Sequence, residues 1–257
     1  MSQKTGGQVK MIKIEKGEKA TPWCVGSGDS SYVNSNIVYD CSGNGYNGTI
    51  TGSLETSSST PRYTSSLYFD NGLNNYITAP ILLNKDAITM SIWIKSKNGI
   101  AGTGNYHMPF EINGIYEMSI GSDGKFRQGF YVDGSRKVNT TPGPNIISDK
   151  KWHMISATFD GTIIKRYVDG VLVQTQEASG TLTGGSLVVY IGGTYGGTTT
   201  YATKELYESD ARIYATALSE ADILDLYQTS AKIDNTGKLH TYSIVEDSTK
   251  SSSSITR

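Results

Sequence analysis

The chain is punctuated by Asn-Gly and Asp-Gly steps. Asp70-Asn71-Gly72, Asn98-Gly99, Asn113-Gly114, Asp123-Gly124, Asp133-Gly134, Asp160-Gly161 and Asp169-Gly170 recur along its middle, and Gly192-Gly193 ends the series. These residues tolerate the positive φ that a two-residue hairpin turn demands. The segments between them are short and alternate apolar with polar residues, as in "AITMSIWIKS". Such runs read as strands. About a dozen of them at this spacing make an all-β sandwich or barrel, not a βαβ fold.

With 257 residues, the chain can bury such a core as one unit. Its 23 Lys and Arg against 24 Asp and Glu give a formal net charge of -1, which is no footprint for nucleic acid or an anionic membrane. No apolar run approaches the roughly 18 residues of a membrane span. The opening "MSQKTGGQVKMIKIEKG" is basic but lacks the apolar stretch of a signal peptide. Cys24 and Cys41 are too few for a disulfide scaffold and read as free thiols, in a chain made in a reducing cytoplasm.

One helix stands out in "TALSEADILDLYQTS". Ser219 is its N-cap and Asp222, three residues on, completes a capping-box variant. Ala221, Leu224 and Tyr227 line one face, with Ile223 and Leu226 beside it, so the helix should plug against the sandwich. Three regions follow. Residues 1–36 hold a strand, "VKMIKI", and a linker, which read as an arm or the end of a preceding module. Residues 37–228 form the main domain. Residues 229–257 offer a hairpin over Asp234-Asn235-Thr236-Gly237 and a Ser-rich tail.

Six segments in order carry a family resemblance: "YDCSGNGYNGTITGS", "SSLYFDNGLNNYITAP", "AITMSIWIKS", "KWHMISATFDGTIIKRYVDGVLV", "VVYIGG" and "ESDARIYATALSEADILDLY". Together, over residues 37–228, the chain resembles a laminin-G-like, concanavalin A-type domain. The resemblance implies a two-sheet antiparallel jelly-roll sandwich with one short C-terminal helix. The flanks "IKIEKGEKATPW" and "SAKIDNTGKLHTYSIVED" resemble parts of tail proteins of phages and prophages of Gram-positive bacteria. This implies a receptor-binding module of a virion, acting at the bacterial cell surface. Its expected partners are a bacterial surface glycan and other phage structural proteins. Tail proteins are often homo-oligomers, although no heptad repeat here argues for one.

Asp40-Cys41-Ser42-Gly43-Asn44-Gly45 fits the first half of an EF-hand loop. The twelfth position is Thr51, not the bidentate Glu, and no helix flanks the loop, so that reading fails. The resemblance implies instead a structural Ca2+ at this entry turn. Its ligands would be Asp40, the backbone from Gly43 through Asn44 to Asn47, and Asp210 from the late strand. The bland alternative is a glycine-rich turn capped by Asp40. Arg212 is expected to support the late strand through a salt bridge.

Catalysis finds little support. Laminarinase-type hydrolases of this fold place acids on one strand of the concave sheet. The nearest match is Glu111, Asn113 and Glu117, but its outer acids are too far apart on an extended strand, about 20 Å. His107, His153 and His240 are scattered, and neither G-x-S-x-G nor H-E-x-x-H occurs. His153 reads as structural, and Trp93 and Trp152 as core. Trp23 either fixes the leader against the sandwich or sits at a partner interface. Glycan recognition needs aromatic faces and planar polar groups. The loops "GIAGTGNYHMPF" and "GGTYGGTTTYAT" supply Asn105, Tyr106, His107, Tyr195 and Tyr201. The expected function is therefore non-catalytic glycan binding. The alternatives are a structural spacer or decoration domain of a virion and, less favoured, a glycoside hydrolase.

Overall fold

The computed structural model describes residues 12–15, 37–38, 40, 44–57, 61, 66–70, 75–81, 83–99, 106–138, 143–193, 205–233 and 239–243. The elements run in chain order as follows. The first strands are β1 (Ile12–Glu15), β2 (Ile37–Val38), β3 (Gly48–Thr51), β4 (Glu55–Ser57), β5 (Ser66–Phe69) and β6 (Tyr76–Pro80). Next come β7 (Ile88–Ser96), β8 (Tyr106–Ile112), β9 (Tyr116–Gly121), β10 (Phe126–Val132), β11 (Ser135–Val138) and β12 (His153–Phe159). The chain continues with β13 (Ile163–Val168), β14 (Val171–Glu177), β15 (Val188–Ile191), β16 (Leu206–Tyr214), helix α1 (Glu220–Gln228), β17 (Thr229–Ile233) and β18 (Leu239–Ser243).

Two eight-stranded sheets face each other. Sheet I has the order β14-β13-β12-β7-β16-β5-β4, and β1 also pairs with β16. Sheet II has the order β11-β10-β9-β8-β15-β6-β3-β2. The mostly antiparallel two-sheet sandwich with one short helix matches the architecture expected from the sequence. One pairing departs from it. β1, expected to be an arm or the end of a preceding module, lies parallel to β16, with Ile12 opposite Ala211 and Glu15 opposite Tyr214. β17 and β18 form the expected hairpin as a separate two-stranded sheet.

Several turns behave as their residues dictate. Asp133 and Gly134 both have positive φ, 47° and 74°, as do Asp169 and Gly170, 52° and 78°. Positive φ at both central residues is what a tight hairpin with native twist requires. The core between the sheets is built from alternate strand positions. Ile88, Met90, Ile92 and Ile94 from sheet I meet Phe110, Met118, Phe126 and Phe130 from sheet II in one buried cluster.

A second apolar cluster lies on the outer face of sheet I. There Trp93, Met154, Tyr167 and Tyr214 meet Ile223 and Leu226 of α1, and Trp152 packs against the group. Tyr227 stacks on Trp93 with ring centroids 5.4 Å apart. The capping box is formed: Asp222 N–H donates to Ser219 Oγ at 3.2 Å and Ser219 N–H donates to Asp222 Oδ2 at 3.0 Å. The helix seats itself on Ile223 and Leu226, while Leu224, expected on the packed face, is 39% exposed. Helix burial thus follows the sheet it meets, not the stripe that looks widest in sequence.

Candidate functional site

Among the described residues, α1 packs on the outer face of sheet I, and the outer face of sheet II carries no helix. Its residues are the alternates of the core positions. In β6, Ile77 and Ala79 are buried while Tyr76 and Thr78 are half-buried. In β15, Val189 and Ile191 are core and Tyr190 is half-buried. Tyr190 lies in register with Thr78 on one side and Glu111 on the other. Glu111 is in turn directly opposite Glu117, and Glu117 is opposite Gly129. A polar row therefore crosses the sheet from β6 to β10.

The row has aromatic and charged parts. The Tyr76 and Tyr190 rings tilt against each other at 5.9 Å. Glu111 is 8% exposed. The Glu117 side chain is 16% exposed and forms an ion pair with Arg136 of the β10–β11 hairpin. Gly129 makes room for that pair: a Cβ there would lie 2.8 Å from Glu117 Oε1. Farther along the face, Arg127 and Asp123 form a second pair at 2.8 Å. Hydrogen bonding from Arg127 holds the Asp123 carboxyl down at about 2.

This row corrects the sequence argument about Glu111 and Glu117. They are not spread along one extended strand. Asn113-Gly114 folds β8 back onto β9 and sets the two residues opposite each other, where Cβ atoms sit about 5 Å apart. The Asn113-Gly114 turn is what brings the pair together.

The other expected site residues fall out differently. Asn105, Tyr195 and Tyr201 lie outside the described residues, as does Gly43. Tyr106 begins β8, and its side chain is not described. His107, expected in an exposed loop, lies in β8 opposite Ile120 and is fully buried. The register shift between His107 and Phe110 breaks the alternation of β8 and sets His107 opposite the core residue Ile120, so the ring turns inward and offers no surface contact.

At the entry turn, Asp40 and Asn47 do come together. Asp40 N–H donates to Asn47 Oδ1, and Asp40 Oδ2 accepts from Tyr46 N–H, both at 3.0 Å. Gly45 supplies a φ of 76° inside the turn, and Asn44 is exposed. Asp210 is committed elsewhere. Arg212 Nε and Nη2 approach its two carboxylate oxygens at 2.6 and 2.8 Å, with the side chains 1% and 4% exposed. A carboxylate held bidentately by a buried guanidinium does not fit a calcium ligand set with Asp40. Among the described residues no cluster of three or more His, Cys, Asp or Glu could hold a metal. The salt bridge expected of Arg212 is present.

His153 is structural, as its sequence context suggested. Its Nδ1 lies 2.6 Å from Asp169 Oδ2 and its Nε2 lies 3.1 Å from Asp149 Oδ1. Burial pulls its pKa down, but the hydrogen bonds and charges of the two aspartates outweigh this and raise it. Trp93 is core, and Trp152 packs at the edge of the second cluster.

A family description of the concanavalin A-like lectin/glucanases superfamily, of laminin G type, matches residues 70–224. That is more than half of the chain. The chain belongs to this superfamily. No curated protein sequence matches it. Among solved structures, the concanavalin A-like sandwich is similar to the receptor-binding domain of botulinum neurotoxin C/D mosaic serotype. The identity is 14% and the TM-score 0.56, over 84% of this chain and 61% of that one. It is also similar to the binding domain of botulinum neurotoxin DC solved with SialylT, at 16% identity and TM-score 0.59, over 75% and 49%. A structure of botulinum neurotoxin type C, described as dependent on two ganglioside molecules for cell entry, matches at 15% identity and TM-score 0.59, over 76% and 49%. The chain thus spans about half to three fifths of these proteins. At such identities the likeness is one of fold.

The sequence held a signal for the outer row. "YITAP" and "VVYI" place Tyr76 and Tyr190 at the polar positions of apolar-alternating strands. What it did not hold was the register that sets Tyr190 beside Glu111.

Proposed function

We propose that the chain is a non-catalytic glycan-binding module of a phage or prophage tail or virion protein, recognising a glycan on the bacterial surface. The observation that carries glycan binding is the outer row of sheet II. Tyr76 and Tyr190 give ring faces for sugar C–H groups, and Thr78, Glu111, Glu117 and Arg136 give planar or hydroxyl partners for sugar hydroxyls. They stand on a rigid sheet, so little order must be gained on binding. The superfamily includes lectins, and two of the similar toxin structures are described with a sialylated ligand and with gangliosides. The phage setting rests on the resemblance of the flanks.

The test is binding of the purified chain to a panel of bacterial cell-wall and capsular polysaccharides, with calcium and then with chelator. Saturable binding without released product is expected, and Tyr190→Ala should weaken it about tenfold. The chelator arm tests the turn at Asp40 alone, since Asp210 belongs to Arg212. No binding to any glycan would favour the structural spacer.

The Glu111–Glu117 pair favours a second reading, glycoside hydrolysis. Directly opposed residues have Cβ atoms about 5 Å apart, which leaves both carboxylates within reach of one glycosidic bond, one as acid and the other as nucleophile or base. Release of reducing ends from a bound glycan, lost in Glu117→Gln, would replace the non-catalytic reading.

A further inference from the structure

A second surface lies on the opposite side of the sandwich, where α1 leaves part of sheet I uncovered. Tyr207 of β16 is in register with Tyr68 of β5 and with Lys95 of β7. The intervening residues Leu67, Phe69, Ile94 and Leu206 turn into the core, so these three point to the outer face, where Tyr68 is 8% exposed and Tyr207 and Lys95 are half-buried. Trp152, just before β12, completes the strip. The Tyr68 and Tyr207 rings are 5.0 Å apart, and those of Tyr207 and Trp152 are 6.4 Å apart. The strip crosses β5, β16, β7 and the start of β12, about 14 Å at the usual strand spacing.

Cations sit over these rings. Lys97 Nζ lies 4.5 Å from the Tyr68 ring centroid and donates to its hydroxyl at 3.2 Å. Lys95 Nζ lies 5.8 Å from the Tyr207 ring centroid. Hydrogen bonding to Tyr68 raises the Lys97 pKa, which keeps the ammonium charged. Lys151, exposed, adjoins Trp152. The nearby described carboxylates include Glu55, opposite Tyr68, Glu205, beside Lys97, and Asp149, beside Lys151. Among the described residues, Lys95 and Lys97 lie directly over the rings of the strip, while the outer row of sheet II carries Glu111 and Glu117.

We propose that this strip is a second binding site, taking an acidic polysaccharide of uronate type. Sugar rings lie along Tyr207 and Trp152, and the ring carboxylates reach Lys95 and Lys97. The length of the strip suits a short run of a polymer, not a single sugar. A handful of lysines on a near-neutral chain is too sparse for a nucleic-acid backbone, whose binding needs many phosphate contacts. The site is separate from the row on sheet II and does not depend on it.

The test is affinity electrophoresis in gels containing polygalacturonate, with a neutral glucan gel as reference. The wild-type chain should be retarded by polygalacturonate, and less so as salt is raised. The double variant Lys95→Gln/Lys97→Gln should lose about tenfold in affinity, and Tyr207→Ser a similar amount. Lys137→Gln, on sheet II, should leave the retardation unchanged. Four results would each overturn the proposal. They are no retardation by polygalacturonate, unchanged retardation of the lysine pair variant, equal loss in Lys137→Gln, and competition by single-stranded DNA as strong as by polygalacturonate itself. The proposed glycan site is judged separately, by Tyr190→Ala on the polysaccharide panel.

Discussion

Removing the Asp210 carboxylate should cost this domain a large share of its stability. The side chains of Asp210 and Arg212 are 1% and 4% exposed, and the guanidinium meets both carboxylate oxygens at 2.6 and 2.8 Å. Deleting one member of such a pair leaves a buried charge without its bidentate partner, a loss of about 3–5 kcal/mol. Asp210 also has a φ of 51° at the irregularity between Ser209 and Arg212. Alanine tolerates that conformation less well than Asp, which adds about 1 kcal/mol. The total for Asp210→Ala is about 4–6 kcal/mol, against the 5–15 kcal/mol typical of a whole domain. Melting should fall by about 10 °C or more. The assay is urea unfolding of wild type, Asp210→Ala, and Asp210→Ala/Arg212→Met, each with calcium and with chelator. The second substitution should recover much of the loss, because removing both charges removes the unpaired one. A loss under about 1 kcal/mol would refute the reasoning. So would a loss seen in calcium but absent in chelator, which would make Asp210 a cation ligand.

Other outcomes can be checked in the same way. The folded pKa of His153 is raised above 6.5 by Asp169 and Asp149 despite its burial. The protonated ring therefore contributes stability that is complete below pH 6.5 and is lost as pH rises through the folded value. Melting scans from pH 6 to 9 should show that decline, and His153→Gln should flatten it. Ser219→Ala removes the hydroxyl that accepts from Asp222 N–H, and should cost about 1 kcal/mol by urea unfolding.

How much of this could be read in the sequence depended on distance along the chain. The hairpins at Asp133-Gly134 and Asp169-Gly170 and the Ser219–Asp222 cap were legible, because each is fixed by residues within a few positions. The Arg212–Asp210 pair was partly legible for the same reason. Its competitor, the calcium reading of Asp210, came from a resemblance, and the guanidinium two residues away decided against it. The Glu111–Glu117 row needed a register spanning five strands, which no local signal specifies. His107 was misread because the register shift between it and Phe110, which turns it toward Ile120 and the core, has no local signal in the sequence. The Tyr68–Tyr207–Trp152 strip was missed altogether, since its members come from three separate parts of the chain and meet only when sheet I forms.

The parallel pairing of β1 with β16 has a mechanical consequence. β16 pairs with β7 along nearly its whole length, and on its other side β5 and β1 share it end to end. Any pull delivered through the residues before Ile12 therefore enters the sandwich at an interior strand. A pull along the strand axis loads the β1 hydrogen bonds together, in shear, instead of peeling them one after another. The adjoining stretch of β16 is tied to β7 through Arg212, Ile213 and Tyr214, so tension would spread sideways into the sheet before reaching any binding surface.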